Sequence, residues 1–331
     1  MDIIAHNANR LFSEMFWRFK VSGVPVETRN GPALRIPEPV LTTVRNPTER
    51  VLFHPGRDAN PVFHLMESIW MLAGRRDVAF PTQFNSTFGQ YSDDGEVYNA
   101  AYGYRWRSHF GIDQLAEVIN TLRTDRNTRQ AVVQMWDAAD LSKATKDKAC
   151  NMSIVFEVFN DRLNMTVINR SNDAWFGYAG ANIVHMTFLQ EFIAHAVGVP
   201  IGVYRTFSTN LHLYTKLYEA SQYLVMPPDP NMYDHYASGV CPLPIMLNGD
   251  WRAFLSDCEA FCDDPFNGET NYTHPFFLGV AHPMAMVSRT RKLNAGTGEG
   301  CAAKIKAPDW RRAVFEWIQR RESKKAKAIA V

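Results

Sequence analysis

The chain has 331 residues, enough for one large domain or two ordinary ones, and its 46% hydrophobic and 21% charged residues suit a soluble protein with a sizeable core. A formal net charge of +1 removes any global electrostatic pull toward nucleic acid or a membrane surface. Five scattered cysteines (Cys150, Cys241, Cys258, Cys262, Cys301), no long apolar run and an opening that does not read as a signal peptide lead us to expect a reduced, cytoplasmic protein. Cys258 and Cys262 have helical spacing and lack the paired partners of a zinc site, so no metal is expected.

In chain order, Leu11, Phe12, Met15, Phe16 and Phe19 recur at helical spacing and predict an amphipathic helix over Asn7–Lys20. Asn30-Gly31 marks a turn just after Arg29, which locally reads as a solvated charge. Proline-rich segments at 37–47 and 55–61 read as linkage. They lead into a buried helix carrying Phe63, Met66, Ile69, Trp70 and Leu72 and ended by Gly74. Glu67 lies inside that apolar run, where a carboxylate must find a structural partner or do chemistry. Residues 83–107 are aromatic and turn-rich and read as a pocket-lining loop, and 113–123 as an amphipathic helix. TRQAVVQMWD (128–137) reads as a strand entered through Arg129.

The stretch from Cys150 to Asn182 reads as a thiol, a hairpin turning at Asn160-Asp161-Arg162, and a polar cluster Arg170-Ser171-Asn172-Asp173. An apolar helix over 181–198 and a strand over 202–214, ending at His212 and Tyr214, follow. Beyond about 225 the pattern loosens at Pro227, Pro228, Pro230, Pro242 and Pro244. The chain then ends in a basic amphipathic helix expected at the surface with a solvated, lysine-rich tail. Arginines beside a cysteine favour its nucleophilic thiolate. Arg170 with Ser171 offers the planar fork and hydroxyl that bind a phosphate dianion, and Arg29 and Arg129 could complete the cage. His212 and Tyr214 share a strand face and could hold a sugar hydroxyl; the amide of Asn182 could read a base edge. Together they suggest a phosphorylated nucleoside with a cysteine placed to attack it.

The order and spacing of TRNG (28–31), MESIWMLAG (66–74), AYGYRWR (101–107), TRQAVVQMWD (128–137), KACN (148–151), NRSNDAWFG (169–177), ANI (181–183) and NLHLY (210–214) resemble the thymidylate synthase family of pyrimidine nucleotide C5-transferases. The RSNDxxFG pattern is closer to its hydroxymethylase branch. The resemblance implies an α+β, three-layer fold whose large mixed sheet forms a homodimer interface. It implies a catalytic core over 1–225 and an extension over 226–331 packed on the same domain and ending in a basic helix. It also implies Cys150, Glu67 and Tyr102 as catalytic residues. Arg29, Arg129 (acting across the dimer), Arg170, Ser171, Asn182, His212 and Tyr214 would bind substrate. Asp173, Phe88, Tyr91 and Gly177 would line the site of the co-substrate 5,10-methylenetetrahydrofolate.

In such a reaction Cys150 adds to C6, C5 takes the one-carbon unit, and the resulting exocyclic methylene is either reduced or hydrated. Three departures favour water: Phe88 and Tyr91 stand where synthases have a tryptophan pair, Asn151 replaces a histidine after the nucleophile, and the synthase C-terminus is replaced. Gln130 replaces the second arginine of the usual pair. Asn182 favours dUMP; dCMP, CMP, a methyl-forming synthase and a non-catalytic nucleotide-binding relative are the alternatives. Such activity commonly feeds hypermodified phage DNA or a nucleoside antibiotic, and a phage-encoded protein would act in the host cytoplasm.

Overall fold

The computed structural model describes residues 1–221, 232–246 and 250–329. Its elements run β1 (Asp2–Ala5), α1 (Ala8–Ser22), β2 (Val24–Thr28), β3 (Gly31–Arg35), β4 (Val40–Val44), α2 (Pro61–Leu72), α3 (Ala79–Thr82), α4 (Tyr102–Arg107) and α5 (Gln114–Thr124). There follow β5 (Val132–Gln134), β6 (Asn151–Phe159), β7 (Arg162–Asn169), β8 (Asn172–Asp173), α6 (Asn182–Val197), β9 (Ile201–Ser208), β10 (Leu211–Tyr214) and α7 (Thr215–Ser221). The last helices are α8 (Trp251–Asp263), α9 (His282–Lys292), α10 (Glu299–Ala302) and α11 (Pro308–Ile329). Among the described residues no helix is long and apolar enough to cross a membrane.

The strands form two sheets. A six-stranded mixed sheet has the order β1-β4-β9-β7-β6-β5, and a four-stranded sheet has the order β2-β3-β10-β8. In the larger sheet β1 with β4 and β7 with β9 are parallel, and the other pairs antiparallel. The hairpin β6–β7 turns at Asn160 and Asp161, both at positive φ (50° and 55°), the pair of left-handed residues that matches strand twist.

Helix α6 lies on β7 and β9, α2 lies on α6, and α8, α9 and α11 pack against α2. That enclosure explains why every residue of α2 is buried, since a helix apolar on all sides is stable only when surrounded. The opposite face of the large sheet carries the row Ile4, Thr43, Arg205, Thr166, Val155 and Val132 in register, with Ile4, Leu41 and Val132 exposed.

The helices expected around 7–20, 61–73, 113–123 and 181–198 form, each within a few residues. Elsewhere the structure corrects the sequence reading. Residues 37–47 hold β4, because Pro39 and Pro47 only bracket the β-branched run between them. Residues 83–107 hold a 3-10 turn (Ser86–Tyr91) and α4, too short to show periodicity. Only Val132–Gln134 of the 128–137 stretch is strand. The run 202–214 is two strands in different sheets, broken at Thr209-Asn210, where the Thr209 N–H donates to the Asn169 carbonyl and the Asn210 carbonyl accepts from Asn172.

The C-terminal helix is no free surface element. Trp310, Val314, Trp317 and Ile318 are buried, and Arg320, Arg321 and Lys324 converge on Asp58. Pro227, Pro228 and Pro230 lie outside the described residues; Pro242 and Pro244 stand in irregular chain as expected.

Two local constraints place α4. A Cβ on Gly103 would stand 1.9 Å from the Met71 carbonyl oxygen, so only glycine lets α4 lie on the end of α2. Arg105, fully buried, donates to Asp140 at 2.6 and 2.9 Å and to the Met135 carbonyl at 2.7 Å. Arg105→Ala leaves the buried Asp140 carboxylate without that partner and is expected to cost about 3–5 kcal/mol, read from the urea midpoint; a loss under about 1 kcal/mol would contradict the assignment.

Candidate active site

The small sheet is one wall of the site. Its β2–β3 turn carries Arg29, β10 carries His212 and Tyr214, and β8 carries Asp173. His212 and Tyr214 share a face, their rings 5.5 Å apart, and Asn30 Nδ2 donates to the Tyr214 hydroxyl at 3.1 Å, tying the turn to β10. With Arg35, Lys146, Lys148, Arg170, Ser171 and Asn210 these residues line a polar cavity of about 650 Å³. A second cavity, of about 210 Å³, is walled by Glu67, Trp70, Phe88, Tyr91, Tyr98, Tyr102 and Asn182. Cys150 lines both, together with Tyr91, Asp147 and Lys148. The thiol therefore stands where a cation-lined chamber meets an aromatic one.

Cys150 directly precedes β6, where a β-bulge lies between Asn151 and Ser153 and the N–H groups of Met135 and Trp136 both donate to the Met152 carbonyl. A bulge re-aims the chain at a strand end, which here turns the cysteine out of the sheet. Arg170 fixes the preceding loop: Nε donates to the Ala149 carbonyl (2.8 Å), Nη2 to the Lys148 carbonyl (3.1 Å), and its backbone N–H to the Cys150 carbonyl (3.0 Å). Its guanidinium also lies over Trp136. The fork is thus partly committed to the backbone that leads into Cys150. The expectation that arginines lower the thiol is also corrected. Burial pushes Cys150 above the ordinary thiol value; Arg170 and Arg29 oppose this, while Asp147 and Asp173 add to it.

Tyr102 opens α4 beside Cys150, and burial raises its phenol well above the usual value. Glu67 is buried on α2, its Oε2 3.1 Å from His185 Nε2 on α6. Asn182 is the first residue of α6, reached through a wide π-type turn, Ala174–Ala181, kinked at Ala179 and Gly180. This turn absorbs the long GYAGA stretch, so that Asn182 rather than Ala181 faces Cys150. Gly177 does not line either cavity. A Cβ there would stand 2.9 Å from Asn182 Nδ2 and 3.0 Å from Asn172 Oδ1, so its place is to leave room for those amides. Asp173 Oδ1 caps the turn by accepting from the N–H groups of Trp175 and Phe176, both at 2.8 Å, and burial raises its carboxyl above the ordinary value.

Phe88 and Tyr91 meet edge to face at 5.6 Å on their 3-10 turn. Of the residues singled out from sequence, Arg129 and Gly177 line neither cavity, and Arg129 is exposed ahead of β5. Sequence reasoning missed Asp147, which accepts the Ala100 N–H at 2.8 Å and is raised by burial, and the cavity residues Arg35, Lys146, Lys148, Tyr98 and Asn210. It also missed His185 and Arg57, a buried guanidinium 5.4 Å from the Trp175 ring. For His185 a signal existed: like Glu67, it is a polar group inside an apolar helix. Among the described residues no group of three or more His, Cys, Asp or Glu side chains is placed to hold a metal ion.

Comparison with known proteins follows the same lines. A family model described as thymidylate synthase matches residues 59–230. The deoxyuridylate hydroxymethyltransferase of Pseudomonas phage M6 is 40% identical over 99% of this chain and 97% of its own length. The protein of that name from Bacillus phage SP01 is 38% identical over 55% of this chain and 51% of its own. The crystal structure of thymidylate synthase from T4 phage aligns with a TM-score of 0.54 at 20% identity, covering 66% of this chain and 81% of that one, which shows the shared fold.

The raised thiol gives a direct expectation. At pH 8 the ligand-free protein should be alkylated by iodoacetamide more slowly at Cys150 than at the exposed Cys241, with the Cys150 rate still climbing as pH rises further. Peptide mass spectrometry reads both rates; a Cys150 that reacts first would contradict the burial argument.

Proposed function

The chain belongs to the thymidylate synthase family, and we propose that it converts dUMP to 5-hydroxymethyl-dUMP. It is a one-carbon transferase acting on a pyrimidine nucleotide. The observation that carries the choice of product is the small cavity beside Cys150. Its wall includes the side chain of Glu67, whose Oε2 meets His185, and the hydroxyl of Tyr98, which is buried without an aligned hydrogen bond. Buried polar atoms left open in this way are the signature of a place for water. The name carried by the phage relatives supports the same product and the same base.

In this reading the cation-lined cavity takes the nucleotide, with Arg29, Arg170 and Ser171 at the phosphate and His212 and Tyr214 at the sugar. Arg35, Lys146 and Lys148 add charge where Gln130 supplies none. The amide of Asn182 accepts from uracil N3–H and donates to O4, held in place by the clearance at Gly177. The Cys150 sulfur then bonds to C6 and makes C5 a carbon nucleophile, splitting one difficult substitution into easier steps.

5,10-methylenetetrahydrofolate supplies the one-carbon unit when bound. The residues present suit it: Asp173 offers a partly buried acceptor for the N–H groups of a flat heterocycle, and Phe88, Tyr91 and Trp70 offer aromatic walls. Tyr102, beside Cys150, lies where it can assist loss of the C5 proton. The methylene left on C5 is then open to the water held at Glu67.

Two further features support a homodimer: the exposed Ile4, Leu41 and Val132 on the outer face of the large sheet, and Arg129, which is exposed and stands apart from its own subunit's cavities. Paired through that face, each subunit would lend Arg129 to its neighbour's phosphate site. Residues 1–225 then carry the catalysis, and within the extension over 226–331 the helices α8, α9 and α11 pack against α2 from behind. The phage origin of the relatives supports a place in the host cytoplasm.

The decisive experiment incubates the protein with methylenetetrahydrofolate and, separately, dUMP, dCMP and CMP. Hydroxymethyl-dUMP with tetrahydrofolate is the expected result. A 5-methyl product with dihydrofolate, or preference for a cytosine nucleotide, would overturn it.

A further inference from the structure

We infer that His185 is a positioning residue that holds Glu67 for delivery of water to the nucleotide, an inference that rests on the hydroxymethyl reading above. His185 is 2% exposed and Glu67 4%, on two helices packed against each other, with Nε2 and Oε2 3.1 Å apart. Neither ring nitrogen of His185 has an aligned hydrogen bond, nor has Glu67 Oε2. So much unmet polarity in so small a volume is costly unless water or a reacting group completes it. His185 follows Asn182 by three residues, which puts the two on the same side of α6. One faces the base and the other the carboxylate behind it.

The second neighbour fits the same role. His64 precedes Glu67 by three residues on α2 and its ring meets that of His185 at 6.3 Å, nearly perpendicular. Burial, with the Arg57 charge and His185 beside it, drives His64 well below the ordinary imidazole value. The nitrogen that meets Glu67 Oε2 is Nε2 of His185.

The step balances as follows. The oxygen of water bonds to the exocyclic methylene carbon, the methylene π electrons move into C5–C6, and the C6–S bond breaks to release Cys150 as thiolate. The proton lost by water goes to the Glu67 carboxylate. His185 fixes which oxygen of Glu67 faces the water and itself touches no reacting atom.

The test compares His185→Gln, whose amide still reaches Glu67, with His185→Asn, whose shorter amide does not. We expect the Gln variant within about tenfold of wild type. The Asn variant should lose about 10²-fold in kcat, with KM for dUMP within about twofold. During turnover it should also accumulate protein carrying the nucleotide on Cys150, seen by intact mass. Should the Asn variant fail to fold, His185→Met, which fills the space without a donor, takes its place. Variants that match each other, or a loss spread over KM with no build-up of adduct, would overturn the role. A wild type that makes 5-methyl-dUMP would instead sink the hydroxymethyl reading.

Discussion

A carboxylate sealed between apolar helices destabilises a protein by several kcal/mol unless something meets it, and Glu67 is such a group. All of α2 is buried, and α6 beside it is buried along nearly its whole length. Where the two helices meet, the polar group on one faces a polar group on the other. Their contact therefore sets two things at once. It closes the core between the large sheet and the C-terminal helices, and it fixes the back of the small cavity at Cys150.

The remaining parts of the site hang on that contact from different directions. Asn182 begins α6, so the helix that carries His185 also delivers the Asn182 amide to the small cavity. Gly103 lets α4, and with it Tyr102, close on α2, and the Arg105–Asp140 pair locks α4 to the end of β5. The small sheet brings Arg29, Asp173, His212 and Tyr214 from three distant stretches of sequence to the other side of the thiol. Arg170 braces the loop between these walls. Burial pushes the Cys150 thiol there above its ordinary value.

Much of this was legible in the residues themselves. Long amphipathic or apolar periods marked α1, α2, α5 and α6, because helices of three or more turns leave a repeating trace. Glu67 stood out as a charge in an apolar run, and Cys150, Asp173, Asn182, His212 and Tyr214 do meet at one place. What was not legible depends on contacts far apart in sequence. The strand β4 hid between prolines, and α4 is too short for a period. The break between β9 and β10 is dictated by hydrogen bonds to Asn169 and Asn172, not by local propensity. The thiol's raised value could not be read from neighbouring arginines, because desolvation outweighs them and two of their charges are opposed by Asp147 and Asp173. His185 was overlooked although it obeys the rule that exposed Glu67.

Cys150 joins the two cavities, and its sulfur is the atom proposed to bond to the pyrimidine. The most direct measurement is the intact mass of the protein after incubation with methylenetetrahydrofolate and a C5-fluorinated dUMP, whose fluorine cannot leave as the C5 proton does. A stable adduct of nucleotide and one-carbon carrier, mapped by peptide sequencing to Cys150, is the result the account predicts. An unmodified protein that still turns over dUMP, or an adduct on another residue, would contradict it.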